Sequence, residues 1–304
     1  MTTALRAGVE ARFSFTRVRF AGTLALAVSL SAQLALPLAA QEKPKSPDAP
    51  TVVPRDTAHA ERHQTLFTYR DAALAAGFVG LTFAMFPADK HLAERLQDED
   101  LQTIKSLDQS AKGFEWITSP GAFVIGGGLY TYGRLAHHPD IADLGWHGTE
   151  AVLISSGITG LLKGTLGRAR PFVTNDTNPR DFKFGKGFST SDRQSFPSGH
   201  TTTAFAAASS VTSEVRRLWP KYTWYVAPVL YGGATLVGVS RMYHNKHWAS
   251  DVVLGAAVGT FSGLKTVRYS HAHPDNPIDK FMLHASIAPD GQGGGYLGFN
   301  FPAP

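Results

Sequence analysis

The fold is decided by residues 195–210, SFPSGHTTTAFAAASS, in which a proline, a serine, a glycine and a histidine lead straight into a run of small residues with helical character. Ser198 is a good N-cap, and Gly199 lets a ligand approach the backbone closely. The first N–H groups of the ensuing helix have no carbonyl in a preceding turn, so they point outward at the positive end of the helix dipole. Such a terminus binds anions, and His200 lies in its first turn, where it can hand over a proton. Taken alone, these residues also describe an ordinary capped helix with an exposed histidine.

Two flanking motifs change that reading. Upstream, KGTLGRARPF (163–172) places Lys163 and Arg170 at the exit of an apolar helix, with Pro171 ending the helix and turning Arg170 toward an extended conformation. Downstream, SRMYHNKHWASDVVLG (240–255) supplies Arg241, His247 and Asp251. The spacing of four between His247 and Asp251, near the start of a helix, brings a carboxylate beside an imidazole and fixes its tautomer.

Around these motifs the apolar pattern predicts six helical segments, at about 70–86, 119–135, 148–163, 198–216, 223–239 and 250–268, with amphipathic helices between the first two over 89–110. If consecutive helices run antiparallel with short connections, the end of the third, the start of the fourth, the end of the fifth and the start of the sixth share one end of the bundle. All the motif residues then converge there. Three fixed cations, two histidines, one orienting carboxylate and a helix N-terminus, without a carboxylate cluster for Mg²⁺ or Ca²⁺, suit a tetrahedral oxyanion bearing about two charges. Phosphate is the obvious one.

The three motifs together resemble the type 2 phosphatidic acid phosphatase (PAP2) superfamily, which includes bacterial non-specific acid phosphatases and vanadium-dependent haloperoxidases. Its signature stands here as Lys163 with Arg170 and Pro171, then residues 197–200 (PSGH), then Ser240, Arg241, His247 and Asp251. The resemblance covers 163–251 directly and implies an all-α helical bundle of about six core helices. It implies a phosphatase that needs neither metal nor cofactor and that binds vanadate as a phosphate mimic. By the same resemblance His247 is the nucleophile that forms a phosphohistidine and Asp251 holds its other ring nitrogen. His200 protonates the leaving oxygen and then activates water. Lys163, Arg170, Arg241 and the backbone N–H groups of Ser198 and Gly199 bind the phosphoryl oxygens.

The expected substrate is a phosphomonoester or lipid (pyro)phosphate such as phosphatidate, phosphatidylglycerol phosphate or polyprenyl diphosphate. A soluble broad-specificity acid phosphatase is the close alternative. A vanadium haloperoxidase, a transferase to a non-water acceptor and a non-catalytic envelope protein stand further off.

Composition bounds the rest. The chain has 304 residues, 43% apolar content, no cysteine and a net charge of +5 with an isoelectric point near 9.4, and its charges are interspersed. Disulfides, thiol catalysis and zinc–cysteine sites are therefore excluded, and nucleic acid is a poor partner. Arg6, Arg12, Arg17 and Arg19 precede an apolar run that gives way to QEKPKSPDAP, the layout of an export signal over 1–40. Cleavage near Ala40 and retention as an anchor are both open, and either places the chain beyond Gln41 in the periplasm or cell envelope. Residues 41–65 read as a polar linker, 66–270 as the catalytic helical domain, and 271–304 as a tail with a short β-hairpin in FMLHASIAPDGQGGGYLGFNF. The helical segments are mostly short for a bilayer and the mean hydropathy is −0.10, which favours a soluble or peripheral bundle. Their small residues would also suit closely packed membrane helices.

Several nearby residues are read blandly. His244 and Lys246 are expected in solvent, Trp248 in packing, and His137 and His138 carry no metal site. The long segment 172–196 is expected to form a lid, with Phe182, Phe184 and Phe188 shaping a leaving-group pocket.

Overall fold

The computed structural model describes residues 65–289 and 295–299. The expected export signal and nearly all of the expected polar linker lie outside the described residues. The architecture is a helical bundle, with α1 (Tyr69–Met85), α2 (Asp89–Leu96), α3 (Glu99–Gln102), α4 (Lys105–Thr118), α5 (Gly121–Leu135) and α6 (Pro139–Leu166) leading to the motif-bearing helices. Those are α7 (Gly199–Leu218), α8 (Thr223–Tyr243) and α9 (Ala249–Ala272), followed by α10 (Pro277–His284) and two strands, β1 (Ala285–Pro289) and β2 (Gly295–Phe299). The six predicted apolar segments correspond to α1, α5, α6, α7, α8 and α9.

Local chemistry sets the boundaries. Thr68 and Asp71 form a capping box at α1. Pro139 starts α6 at a position whose N–H would be unpartnered anyway, and Gly167, with φ 59°, ends it in the left-handed conformation. α6 begins nine residues before the predicted segment because Pro139, not the apolar run, marks its start.

The packing directions follow from named contacts. Thr159 Oγ1 donates to Thr202 Oγ1, and His147 meets Glu214 near the other ends, so α6 and α7 are antiparallel. α7 and α9 run parallel and very close. A Cβ on Gly255, Gly259 or Gly263 would come within 2.6, 2.3 or 2.0 Å of Ser198 O, Thr202 O or Ser209 Oγ, so this every-fourth-residue stripe has to lack side chains. The interior is accordingly small and polar: Thr201, Thr202, Ser209 and Ser210 are fully buried, and the apolar core consists mainly of Ala151, Val152, Ala204, Ala206, Ala208, Ala234 and Val237.

Large apolar side chains face outward instead. Phe83 is 68% exposed, Val124 63%, Leu161 63%, Trp224 79% and Val229 63%, on α1, α5, α6 and α8. Among the described residues no single helix is long and apolar enough to cross a membrane, although α1 and α2, bent by 66° at their junction, pass that test as a pair.

The predicted hairpin is present as antiparallel β1 and β2, with Ala285 opposite Phe299 and Pro289 opposite Gly295. One part of the expectation is corrected: Phe281, Met282, Leu283 and His284 belong to α10, not to the first strand. Pro277 opens that helix, and Asn276 Oδ1 accepts from the Asp279 backbone N–H at 2.9 Å in its first turn.

Candidate active site

The bundle brings together the end of α6, the start of α7, the end of α8 and the start of α9. Lys163 approaches Gly199, where an added Cβ would lie 3.6 Å from Lys163 Cε. The Ser198 N–H donates to the Asp251 carbonyl at 2.9 Å, tying the first turns of α7 and α9. Lys163, Arg170 and Arg241 are close enough that each opposes protonation nearby.

The hydrogen bonds of His247 define its tautomer. The ring is buried, and Nδ1 lies 2.7 Å from the Ser195 backbone carbonyl, which can only accept. Nδ1 therefore carries the proton, and Nε2 keeps its lone pair. The expected partner, Asp251, stands at 3.4 Å from Nδ1 and is the more distant of the two. Its carboxylate is occupied by Arg168 Nη1 at 2.5 Å on Oδ1, and by Ser195 Oγ at 2.5 Å and the Trp248 N–H at 2.8 Å on Oδ2. Burial pushes the Asp251 carboxyl up, but Arg168, His247 and Ser195 together bring it down to about 2.

The other groups show what a ring of buried cations does. His247 is driven down to about 3 by burial and then by Lys163. His200 is driven down to about 4 by burial and then by Arg241, against a smaller opposing effect of Glu115. Burial, reinforced by Arg170 and Arg241, lowers Lys163 to about 7, and its ammonium donates to the Gln194 carbonyl. Arg170 is lowered by burial and Arg241, while its Nε donates to the Ser191 carbonyl at 3.0 Å. Arg241 pairs through Nη1 with Glu115 Oε2 at 2.5 Å, yet its buried Nε has no hydrogen-bond partner among the described residues. An anion among these groups would satisfy that donor and relieve the mutual repulsion.

One expected contact is removed. The Ser198 backbone N–H is consumed by the Asp251 carbonyl, so it is not a phosphate donor; the first-turn N–H groups of Gly199 and His200 remain for that role. Ser198 is the N-cap residue, but its Oγ makes no capping bond and accepts from Thr201 Oγ1 at 2.8 Å.

Several functional neighbours lie outside the motifs. Arg168, fully buried, bridges Asp251 and Asp89 and lies over the rings of Phe86, Phe182, Phe196 and Trp248. Asp89 in turn accepts from the N–H and hydroxyl of Ser250. His244 is not a solvated loop residue: it bonds Glu115 at 2.6 Å and lies 3.3 Å from Asp108, which steadies the carboxylate that holds Arg241. The only sequence hint for Arg168 is its place between Lys163 and Arg170; Glu115 offers none.

The lid expectation is also revised. The segment between α6 and α7 is pinned by Ala169 N to Asp181 O, Lys183 N to Gly167 O and Ser195 N to Arg168 O, at 2.9, 3.1 and 3.1 Å. Phe182 packs against Phe86 and Phe196 in its base, whereas Phe184 and Phe188 are 78% and 67% exposed. Trp248 packs as expected, with Nε1 donating to the Ala169 carbonyl at 3.0 Å.

Residues 145–275 match the PAP2 superfamily model, a span that includes all three motifs. Over 118 residues the chain is 35% identical to a lipid A 1-phosphatase of Rhizobium johnstonii, covering 38% of this chain and 43% of that protein. A lipid A 1-phosphatase of Porphyromonas gingivalis is 48% identical over 69 residues, 23% of this chain and 15% of that one. A third, from Rhizobium etli, is 33% identical over 144 residues, 46% of this chain and 53% of that one, so the chain spans about half or less of the curated relatives it matches. Among solved structures, a transmembrane PAP2 type phosphatidylglycerolphosphate phosphatase from Bacillus subtilis is similar at a TM-score of 0.46 and 22% identity, over 67% of this chain and 97% of that one. Aquifex aeolicus LpxE gives 0.43 and 22%, over 60% and 96%.

Proposed function

We propose that this protein is a phosphoric monoester hydrolase acting on lipid phosphates without a metal or cofactor, through a phosphohistidine on His247. The observation that carries the reading is the Nδ1 bond of His247 to the Ser195 carbonyl, which leaves an Nε2 lone pair on a ring that Lys163 and Arg170 act on. Nε2 attacks phosphorus in line, the P–O bond to the leaving group breaks, and His200 gives its proton to the departing oxygen. In the second step His200 takes a proton from water, whose oxygen attacks phosphorus and releases His247 and inorganic phosphate. The cations and the Gly199 and His200 N–H groups bear the charge of the equatorial oxygens.

The low affinity of His200 for a proton in the free site, about 4, fits this scheme when the substrate's own charge is counted. Two negative charges among three cations offset most of the cationic repulsion that adds to burial in depressing His200, so the substrate itself raises the proton affinity of the acid it needs. The outward apolar side chains of α1, α5, α6 and α8 support association with a membrane surface, in the periplasm or cell envelope, where a lipid phosphate would be met. The names of the curated relatives add lipid A, a phosphorylated glycolipid, to phosphatidate, phosphatidylglycerol phosphate and polyprenyl diphosphate as substrates to compare.

The test is phosphate release in EDTA from p-nitrophenyl phosphate, dispersed phosphatidate and lipid A, together with rapid quenching of ³²P-labelled substrate. Turnover in EDTA, greatest on a lipid, with an alkali-stable, acid-labile protein label absent from His247→Ala, is the expected result. Dependence on an added metal, or release of phosphate with no such label at any quench time, would overturn the covalent mechanism.

A further inference from the structure

At the far end of α6, α7 and α9 a second set of side chains is gathered that phosphate chemistry does not use. His147, Glu214 and His271 come from these three helices, and each offers a ligand atom within 4.8 Å of the others. His147 and Lys163 are 16 residues apart on α6, so the two sites are separated by about 24 Å along its axis at 1.5 Å per residue. Glu214 is fully buried, and its Oε1 lies 2.6 Å from His147 Nδ1 and 2.8 Å from His271 Nε2. The two imidazole rings meet edge to face at 86°.

We propose that His147 Nδ1, Glu214 Oε1 and His271 Nε2 bind a divalent transition metal of the zinc class, which ties the three helices together at the end remote from the phosphate site. Two imidazoles and one carboxylate are a donor set that suits zinc and does not suit Ca²⁺ or Mg²⁺. The outer contacts agree. A metal-bound imidazole ordinarily gives its other N–H to a carboxylate. His147 Nε2 is buried, has no hydrogen-bond partner among the described residues, and faces Asp279 Oδ2 at 3.7 Å. Asp279 is itself oriented by Trp146 Nε1 at 2.9 Å and Asn276 Nδ2 at 2.5 Å, and Glu214 Oε2 by Arg217 Nε at 3.3 Å.

The fit needs a small expansion. Zinc bonds of about 2.0–2.2 Å set neighbouring donor atoms roughly 3.2–3.5 Å apart, so His147 must withdraw from Glu214 by about 0.6–0.9 Å and His271 by about 0.4–0.7 Å. His271 has room to do so, because it is 28% exposed on the last turn of α9.

The test uses the full chain without a polyhistidine tag, stripped with EDTA and freed of it, then titrated with Co²⁺ for visible d–d absorption and with Zn²⁺ for the thermal midpoint. One equivalent of Co²⁺ in a four- or five-coordinate spectrum is expected, with a midpoint that rises with Zn²⁺ concentration. His271→Ala should weaken binding about 100-fold or more, and Asp279→Asn about 10–100-fold. His247→Ala should bind as the parent does, and p-nitrophenyl phosphatase activity should be the same with and without the metal. Should His271→Ala not fold, His271→Gln replaces it, since that side chain is partly exposed. Absence of the Co²⁺ spectrum at saturating metal, binding unchanged in the His271 variant, or binding lost in His247→Ala would each overturn the proposal.

Discussion

The two ends of α6, α7 and α9 use the same residue types to opposite effect. At the proposed phosphate end, cations outnumber carboxylates and burial is deep, so His247 is held down to about 3 and His200 to about 4. At the other end burial also disfavours the charged imidazole, but Asp279 and Glu214 overcome it and raise His147 to about 9. A buried histidine thus sheds or holds its proton according to the sign of its neighbours, so His247 suits attack on an anion, while at His147 the proposed metal would have to displace a proton.

The largest effect that would sharpen this contrast is the loss of His247. His247→Ala should lower kcat by about 10⁴-fold or more on every phosphate ester, while the apo thermal midpoint stays near that of the parent. Residual turnover within tenfold of the parent would break the assignment of the low-affinity histidine as nucleophile. His200→Ala comes next, at about 10²–10⁴-fold on an alkyl phosphate and much less on p-nitrophenyl phosphate, whose leaving group needs no proton. Equal losses on the two substrates would remove His200 from the acid role.

Arg168 tests the balance of charge beneath the site. Arg168→Met leaves Asp89 and Asp251 buried without their cation and should cost about 3–5 kcal/mol in urea denaturation, the range for breaking one side of a buried pair. A loss under about 1 kcal/mol would mean that Ser250, Ser195 and the Trp248 N–H suffice for these carboxylates.

The smallest expected effect is a shift of the pH profile. Lys163, lowered to about 7 in the free site, loses its charge as pH rises through that value, so kcat/KM should fall on the alkaline side. Arginine stays charged throughout, so Lys163→Arg should move that limb upward by more than one pH unit. A limb that does not move belongs to another group, His200 being the first to examine.

Much of the catalytic half is readable from the chain. PSGH at 197–200, the Lys163 and Arg170 pair, and the His247 and Asp251 spacing lie at helix ends, and the short links 219–222 and 244–248 leave the ends of α7, α8 and α9 little choice of where to meet. The hairpin strands are readable from alternation, whereas the α10 residues within the same stretch are not, because a two-turn helix is too short to display its own period.

What the sequence determined by itself was the helical class, the order of the segments and the kind of ion that the motif residues suit, because these depend on periodicity, caps and side-chain chemistry. Only the tertiary structure decided which ring nitrogen of His247 is free, that the Ser198 N–H is consumed, and that Arg168, Asp89 and Glu115 support the site. Those outcomes rest on contacts to backbone carbonyls and on partners such as Asp89 and Ser250, 161 residues apart, where neither spacing nor residue type announces the pairing. The His147, Glu214 and His271 cluster is hidden for the same reason: three single residues on three helices acquire a shared chemistry only when close packing brings one turn of each together.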